Sequence, residues 1–117
     1  MVKKQAQQIK ETRVDMRSGH GQVQVCHYFS KDEFGAQCRL CAQLTIAPGA
    51  SIGMHEHAGE DEVFIIQKGK GLVIDNGQYV QVDAGDAILT GKGSNHSIKN
   101  TGAENLVVTA VIMQYAK

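Results

Sequence analysis

From residue 22 onward the chain alternates short apolar-rich runs with small polar breaks, and most of the breaks hold a glycine. The runs favour Val, Ile, Thr and aromatic residues, and their lengths suit strands rather than helices. Strands are expected at residues 22–29, 37–46, 52–57, 62–67, 71–75, 79–82, 87–89, 96–99 and 106–113. Two breaks have a chemical reason to turn. Pro48-Gly49 suits a type II turn, because proline presets the first central φ and glycine accepts the positive second one. Asn76-Gly77, between "LVID" and "QYVQV", is a strong hairpin signal. Ser30 and Glu33 have the spacing of a capping box, so one short helix is expected over residues 30–34. The pattern predicts an all-β sandwich or barrel.

Two runs, "VFII" and "LVVTAVIM", are apolar at both parities. A strand apolar on both faces needs cover on both. The expected cover is a second copy of the chain, giving a homodimer; the alternative is a sandwich in which one end of the chain folds over. Residues 1–20 are polar throughout and are expected to form an added strand or a dimer arm. They lack the apolar middle of a signal peptide, and no stretch approaches the ~20 apolar residues that cross a bilayer. A cytoplasmic protein is expected.

The 117 residues suffice for one domain, expected over 1–117, with one modest core. Lys plus Arg equal Asp plus Glu at 12 each, so nothing pulls the chain toward nucleic acid or anionic lipid, and neither is an expected partner. An odd number of cysteines, 3 (Cys26, Cys38 and Cys41), fits reduced cytosolic thiols. Residues three apart on a strand point to opposite faces, so Cys38 and Cys41 are expected to be core or interface cysteines rather than a zinc or redox pair. His20 and His27 are expected at the surface or an interface. The "GKG" segments at residues 69–71 and 91–93 lack phosphate-loop spacing.

The stretch "MHEHAGEDEVFII", residues 54–66, carries the chemistry. Residues two apart on a strand share a side, so His55 and His57 project together while Glu56 faces away. Two such imidazoles can converge on one ion. Glu62 shares its parity with Phe64 and Ile66, an inward face on which a carboxylate needs a cation or hydrogen bonds. His96, in "GKGSNHSIKN", would bring a third ring from another strand. Glu56, Glu60 and Asp61 are expected to be solvated on the turn, with Glu60 the best placed of the three for a supporting or entrance role.

The spacing extends further. From Gly49 the chain reads glycine, five residues, His55-x-His57, four residues, Glu62, six residues, Gly69. From Gly85 it reads glycine, five residues, Gly91, one residue, Gly93, two residues, His96, three residues, Asn100. These resemble the two motifs of the cupin superfamily, in order, with Gly91 where the second motif usually has proline; that glycine is expected to loosen the loop before His96. The resemblance implies a double-stranded β-helix, a jelly-roll barrel, with His55, His57, Glu62 and His96 as ligands of one divalent metal. It also implies a small monocupin that dimerises.

Three imidazoles and a carboxylate without thiolate suit Mn, Fe, Co, Ni or Zn on ligand type; manganese or iron is expected from the resemblance. A 2+ ion with one glutamate leaves about +1 in an apolar barrel, so a small anionic ligand such as a dicarboxylate, hydroxyacid or enolate is the expected partner. The leading expectation is a metal-dependent enzyme acting on a small oxygen-rich anion, of the decarboxylase, dioxygenase or isomerase type. A metal-dependent barrel that binds such an anion without turnover, and a barrel kept as an interaction scaffold, are the alternatives. No motif selects a catalytic acid or base, although Tyr28, Tyr79 and Tyr115 could supply a proton.

Overall fold

The computed structural model describes residues 1–116, which fold as two facing antiparallel sheets. In chain order the strands are β1 (Ile9–Val14), β2 (Gln22–Phe29), β3 (Cys38–Ile46), β4 (Ser51–Glu56), β5 (Glu60–Lys68), β6 (Lys70–Asp75), β7 (Gln78–Asp83), β8 (Ala87–Thr90), β9 (Asn95–Asn100) and β10 (Leu106–Gln114). One sheet runs β1-β2-β3-β10-β5-β8 and the other β4-β9-β6-β7. The chain crosses between the sheets at the β3–β4, β4–β5, β5–β6, β7–β8, β8–β9 and β9–β10 connections. That interleaving makes a jelly roll.

The core lies between the sheets. Val23, Val25, Leu44, Ile46, Phe64, Ile66, Leu106, Val108 and Ala110 from the larger sheet meet Ile52, Val73, Val82 and Ile98 from the smaller one. Each strand supplies every second residue, as the alternation requires. Gly49 has φ 78°, the positive value that a type II turn demands. Asn76 and Gly77 have φ of 48° and 87°, a type I′ turn closing the β6–β7 hairpin. The expected short helix is a single 3₁₀ turn, Lys31–Glu33, with Ser30 and Glu33 exchanging the bonds of a capping box.

β1 pairs with β2 along its whole length, so the polar amino-terminal segment includes an edge strand. Its residues carry little apolar alternation because β1 forms on a template, through the backbone groups of β2. "VFII" and "LVVTAVIM" bury one parity only. On the outer side of β5, β8 and β10, Ile65, Leu89 and Met113 remain 38 %, 65 % and 43 % exposed.

The expectation that Cys38 and Cys41 face opposite sides fails. Ile112 lies opposite Leu40 but Met113 lies opposite Cys38, so β3 bulges at Arg39. The extra residue resets the alternation, and Cys38 and Cys41 face the same, outer side as the partners of Met113 and Val111. Both are free thiols; burial, then the neighbouring Cys38, pushes the Cys41 thiol up.

Candidate metal centre

Two sheets converge on one cluster. β4 brings His55 and, one residue past its end, His57; β9 brings His96, the cross-strand partner of His55; β5, from the opposite sheet, brings Glu62. A bulge between Ile52 and His55 turns both residues inward although they stand three apart. His57, Glu62 and His96 are buried and His55 is half-buried.

Each imidazole is held from behind. His55 Nδ1 donates to the Gly53 carbonyl at 2.7 Å, and His57 Nδ1 to Glu60 Oε2 at 2.6 Å. His96 Nδ1 pairs with the Thr90 hydroxyl at 2.9 Å, while Phe64 stacks on the His96 ring at 4.8 Å. With Nδ1 engaged, the three rings turn Nε2 toward a common point. His57 Nε2 and His96 Nε2 are 3.0 Å apart, and His96 Nε2 and His55 Nε2 3.1 Å. Glu62 Oε1 stands 2.8 Å from His57 Nε2, 2.9 Å from His96 Nε2 and 3.8 Å from His55 Nε2.

That arrangement has no sufficient explanation in hydrogen bonding. For His55 and His57 the partners of Nδ1 are acceptors, so in the neutral rings Nε2 presents a bare lone pair. Glu62 Oε1 is buried with no hydrogen-bond partner. Lone pairs packed this closely repel unless a cation sits among them. Four ligand atoms within 4.8 Å of one another could hold a metal ion. Bonds of about 2.1 Å meeting at right angles set neighbouring ligand atoms about 3.0 Å apart, close to the shorter spacings here. Electrostatics agree: burial would raise the Glu62 carboxyl, yet the surrounding His55, His57 and His96 rings hold it well below the usual carboxylate range. Glu62, with Glu60 behind, raises His57, whereas burial lowers His96.

His55, His57 and Glu62 of the cluster line a cavity of about 120 Å³. Its wall includes Arg13, Arg17, His27 and Arg39, none of which the sequence reading placed at the site. His27 accompanies Glu11 at 2.9 Å across the β1–β2 pair. Arg39 is swung inward by its bulge and grips both oxygens of Glu60 at 2.7 Å. Glu60 is therefore buried between Arg39 and His57 rather than solvated, and Arg39 first, then His57, lower its carboxyl. A signal for that existed, since Glu60 shares the inward parity of Glu62 and Phe64. None existed for Arg39, whose direction depends on the bulge. Glu56 is exposed, as expected. Asp61 accepts the Tyr115 hydroxyl, which itself accepts the Lys92 N–H at 2.9 Å. A Cβ at Gly91 would come within 1.8 Å of Asp61 Oδ1, so this pair takes the space there and ties the loop that the missing proline was expected to loosen. Tyr28, Tyr79 and Tyr115 do not line the cavity.

Residues 42–112 match the family model described as a cupin domain, more than half of the chain. The chain belongs to the cupin family. Over 113 residues this cupin is 40% identical to the oxalate-binding protein of Thermotoga maritima, a match covering 97% of this chain and 93% of that relative. A predicted oxalate decarboxylase from the same organism superposes with a TM-score of 0.93 at 39% identity, over 97% of this chain and 99% of that one. A Cupin 2 conserved barrel domain protein from Salinispora arenicola gives 0.68 at 25% identity, over 89% and 82% of the two chains. No helix among the described residues is long and apolar enough to cross a membrane.

Proposed function

We propose that this cupin binds one divalent transition metal through His55 Nε2, His57 Nε2, Glu62 Oε1 and His96 Nε2, and acts there on a small oxygen-rich anion of the short dicarboxylate class. The unpartnered Glu62 oxygen among three imidazoles turned by their Nδ1 partners carries this reading. Manganese or iron is the proposed ion, with zinc, nickel or cobalt able to occupy the same donors. Bound there, such an ion supplies Lewis acidity and open coordination positions for carboxylate oxygens. The cavity is small, with room for a few water-sized groups. The 40% identical oxalate-binding protein supports oxalate as the first compound to try.

Turnover needs a group that moves a proton, and His27 is the imidazole in that cavity outside the ligand set. Glu11, fixed by Arg13, orients it. The reading is thus an enzyme of the decarboxylase, dioxygenase or isomerase type with His27 exchanging the proton. The second reading, capture of the anion without chemistry, is favoured by the name of the Thermotoga relative. Elemental analysis of the purified protein and of His55→Ala/His96→Ala tests the metal; retention of metal by the double variant refutes the site. Oxalate consumption by metal-loaded wild type, abolished in His27→Gln, marks the enzyme; binding without consumption marks the second reading.

The working form is proposed to be a homodimer in the cytoplasm, where the three thiols stay reduced. Ile65, Leu89 and Met113 on the outer sheet face are the apolar surface a second copy would cover, and zero net charge sets up no repulsion between copies. Leu89→Asp is expected to give monomers by light scattering; a wild type that is already monomeric refutes the dimer.

A further inference from the structure

The turn between β1 and β2 is strained. Of the five non-glycine residues with positive φ among the described residues, three lie here: Asp15 at 52°, Arg17 at 54° and Ser18 at 61°. Such residues cost of order 1 kcal/mol each and persist only where the surroundings over-determine them. The surroundings do so. Asp15 is clamped to Gly21, its N–H donating to the Gly21 carbonyl and its Oδ1 accepting the Gly21 N–H, both at 2.9 Å. The turn also lies directly on the β4 backbone. A Cβ at Gly53 would stand 2.1 Å from the Arg17 carbonyl, and one at Gly19 would stand 2.3 Å from the Ser51 carbonyl. Two glycines thus let two backbones touch. Gly53 is also the residue whose carbonyl holds His55 Nδ1. The turn is registered, through one residue, to the strand that bears His55 and leads into His57.

That registration carries a charge to the cavity. Of the three arginines on its wall, Arg13 is paired with Glu11 and Arg39 with Glu60, whereas Arg17 makes no ion pair among the described residues. Arg13 and Glu11 cancel, as do Arg39 and Glu60, which leaves Arg17 as the uncompensated cation. Resting on the proposed metal reading, a 2+ ion with Glu62 adds one further positive charge. A dianion balances the two; a monoanion leaves one over.

We propose that Arg17 is a specificity-determining residue, which receives the carboxylate oxygens of a short dicarboxylate that point away from the metal and so selects dianions over monocarboxylates. A guanidinium presents paired N–H donors that match a carboxylate edge. The packed turn places it, with the Arg17 carbonyl held against Gly53.

The test uses the full chain loaded with Co²⁺ and freed of excess metal, so that the cobalt visible spectrum reports both retention of the ion and arrival of an anion. Oxalate and acetate are titrated into wild type, Arg17→Ala and Arg17→Lys. Both substitutions keep a Cβ at the strained position, and circular dichroism checks the fold. Arg17→Ala is expected to weaken oxalate about tenfold or more, to change acetate less than about twofold and to leave cobalt affinity unaltered. Arg17→Lys should recover part of the oxalate affinity. Equal losses for oxalate and acetate, or an oxalate affinity within twofold of wild type, overturn the role of Arg17 while leaving the metal reading intact. A wild type that takes up no cobalt overturns the metal reading itself, and with it this one, and is recognisable before any anion is added.

Discussion

Glu60 offers the sharpest test of how the centre is held. Its Oε1 accepts Arg39 Nε, and its Oε2 accepts both Arg39 Nη2 and His57 Nδ1, at 2.7, 2.7 and 2.6 Å. Glu60→Ala removes all three bonds and leaves His57 free to rotate. Losing the group behind a metal-binding histidine costs about 10–100-fold in metal affinity, or about 1.4–2.7 kcal/mol. The alanine variant belongs at the upper end of that range. Glu60→Gln belongs at the lower end, because the amide can turn its oxygen to His57 and Nη2 and its NH₂ toward Arg39 Nε. That orientation keeps the His57 bond and loses one arginine bond and the charge. Arg39→Met, which leaves the His57–Glu60 bond untouched, should change metal affinity less than either. Competition against a chelator of known affinity measures all three, with exposed Glu56→Gln as the control. A Glu60→Ala affinity within twofold of wild type would show that Glu60 does not hold His57 in place.

The same pair has a pH signature in the metal-free protein. Arg39, then His57, depress the Glu60 carboxyl below its ordinary 4.5, so its contribution to stability is complete above that value and fades as pH falls below it. The gap in melting temperature between wild type and Glu60→Gln should therefore close in acid; a gap that widens contradicts the assignment. Gly53→Ala drives a Cβ into backbone atoms of Arg17 and Gly19, and should cost about 1–3 kcal/mol by denaturant unfolding. Gly91→Ala meets side chains rather than backbone, the Asp61 carboxylate first and the Tyr115 hydroxyl at 3.1 Å, and should cost about 1 kcal/mol, most of it gone in an Asp61→Ala background. Phe64→Ala empties a buried site against His96 and should cost about 3–5 kcal/mol in the same measurement. A Phe64→Ala loss under 1 kcal/mol would show that the core closes over the gap.

Strand periodicity made much of this protein readable in one dimension. A two-residue period states which side chains share a face. It paired His55 with His57, set Glu62 among Phe64 and Ile66, and would have marked Glu60 for the same face. The turns at Pro48-Gly49 and Asn76-Gly77 are equally local, because their φ values are properties of the residues themselves. The rest depended on contacts between distant segments. β1 is a strand because β2 offers it a backbone edge. The bulges at Arg39 and between Ile52 and His55 arise where two strands of unequal count are paired, and each reverses a side chain's direction relative to simple alternation. Cys38 and Cys41 share a face for that reason, and Arg39 reaches Glu60. Arg17 reaches the cavity only because the turn after β1 packs across β4, through two glycines whose neighbours in sequence give no hint of the contact, whereas His27 shares the inward parity of Val23 and Val25 on β2. Residue identity and strand parity were enough to pick out the side chains with the chemistry for the centre and the face on which most of them lie. Only the packed sheets decided what stands behind and above them, because bulge positions and backbone contacts are set by pairing between strands far apart in the chain.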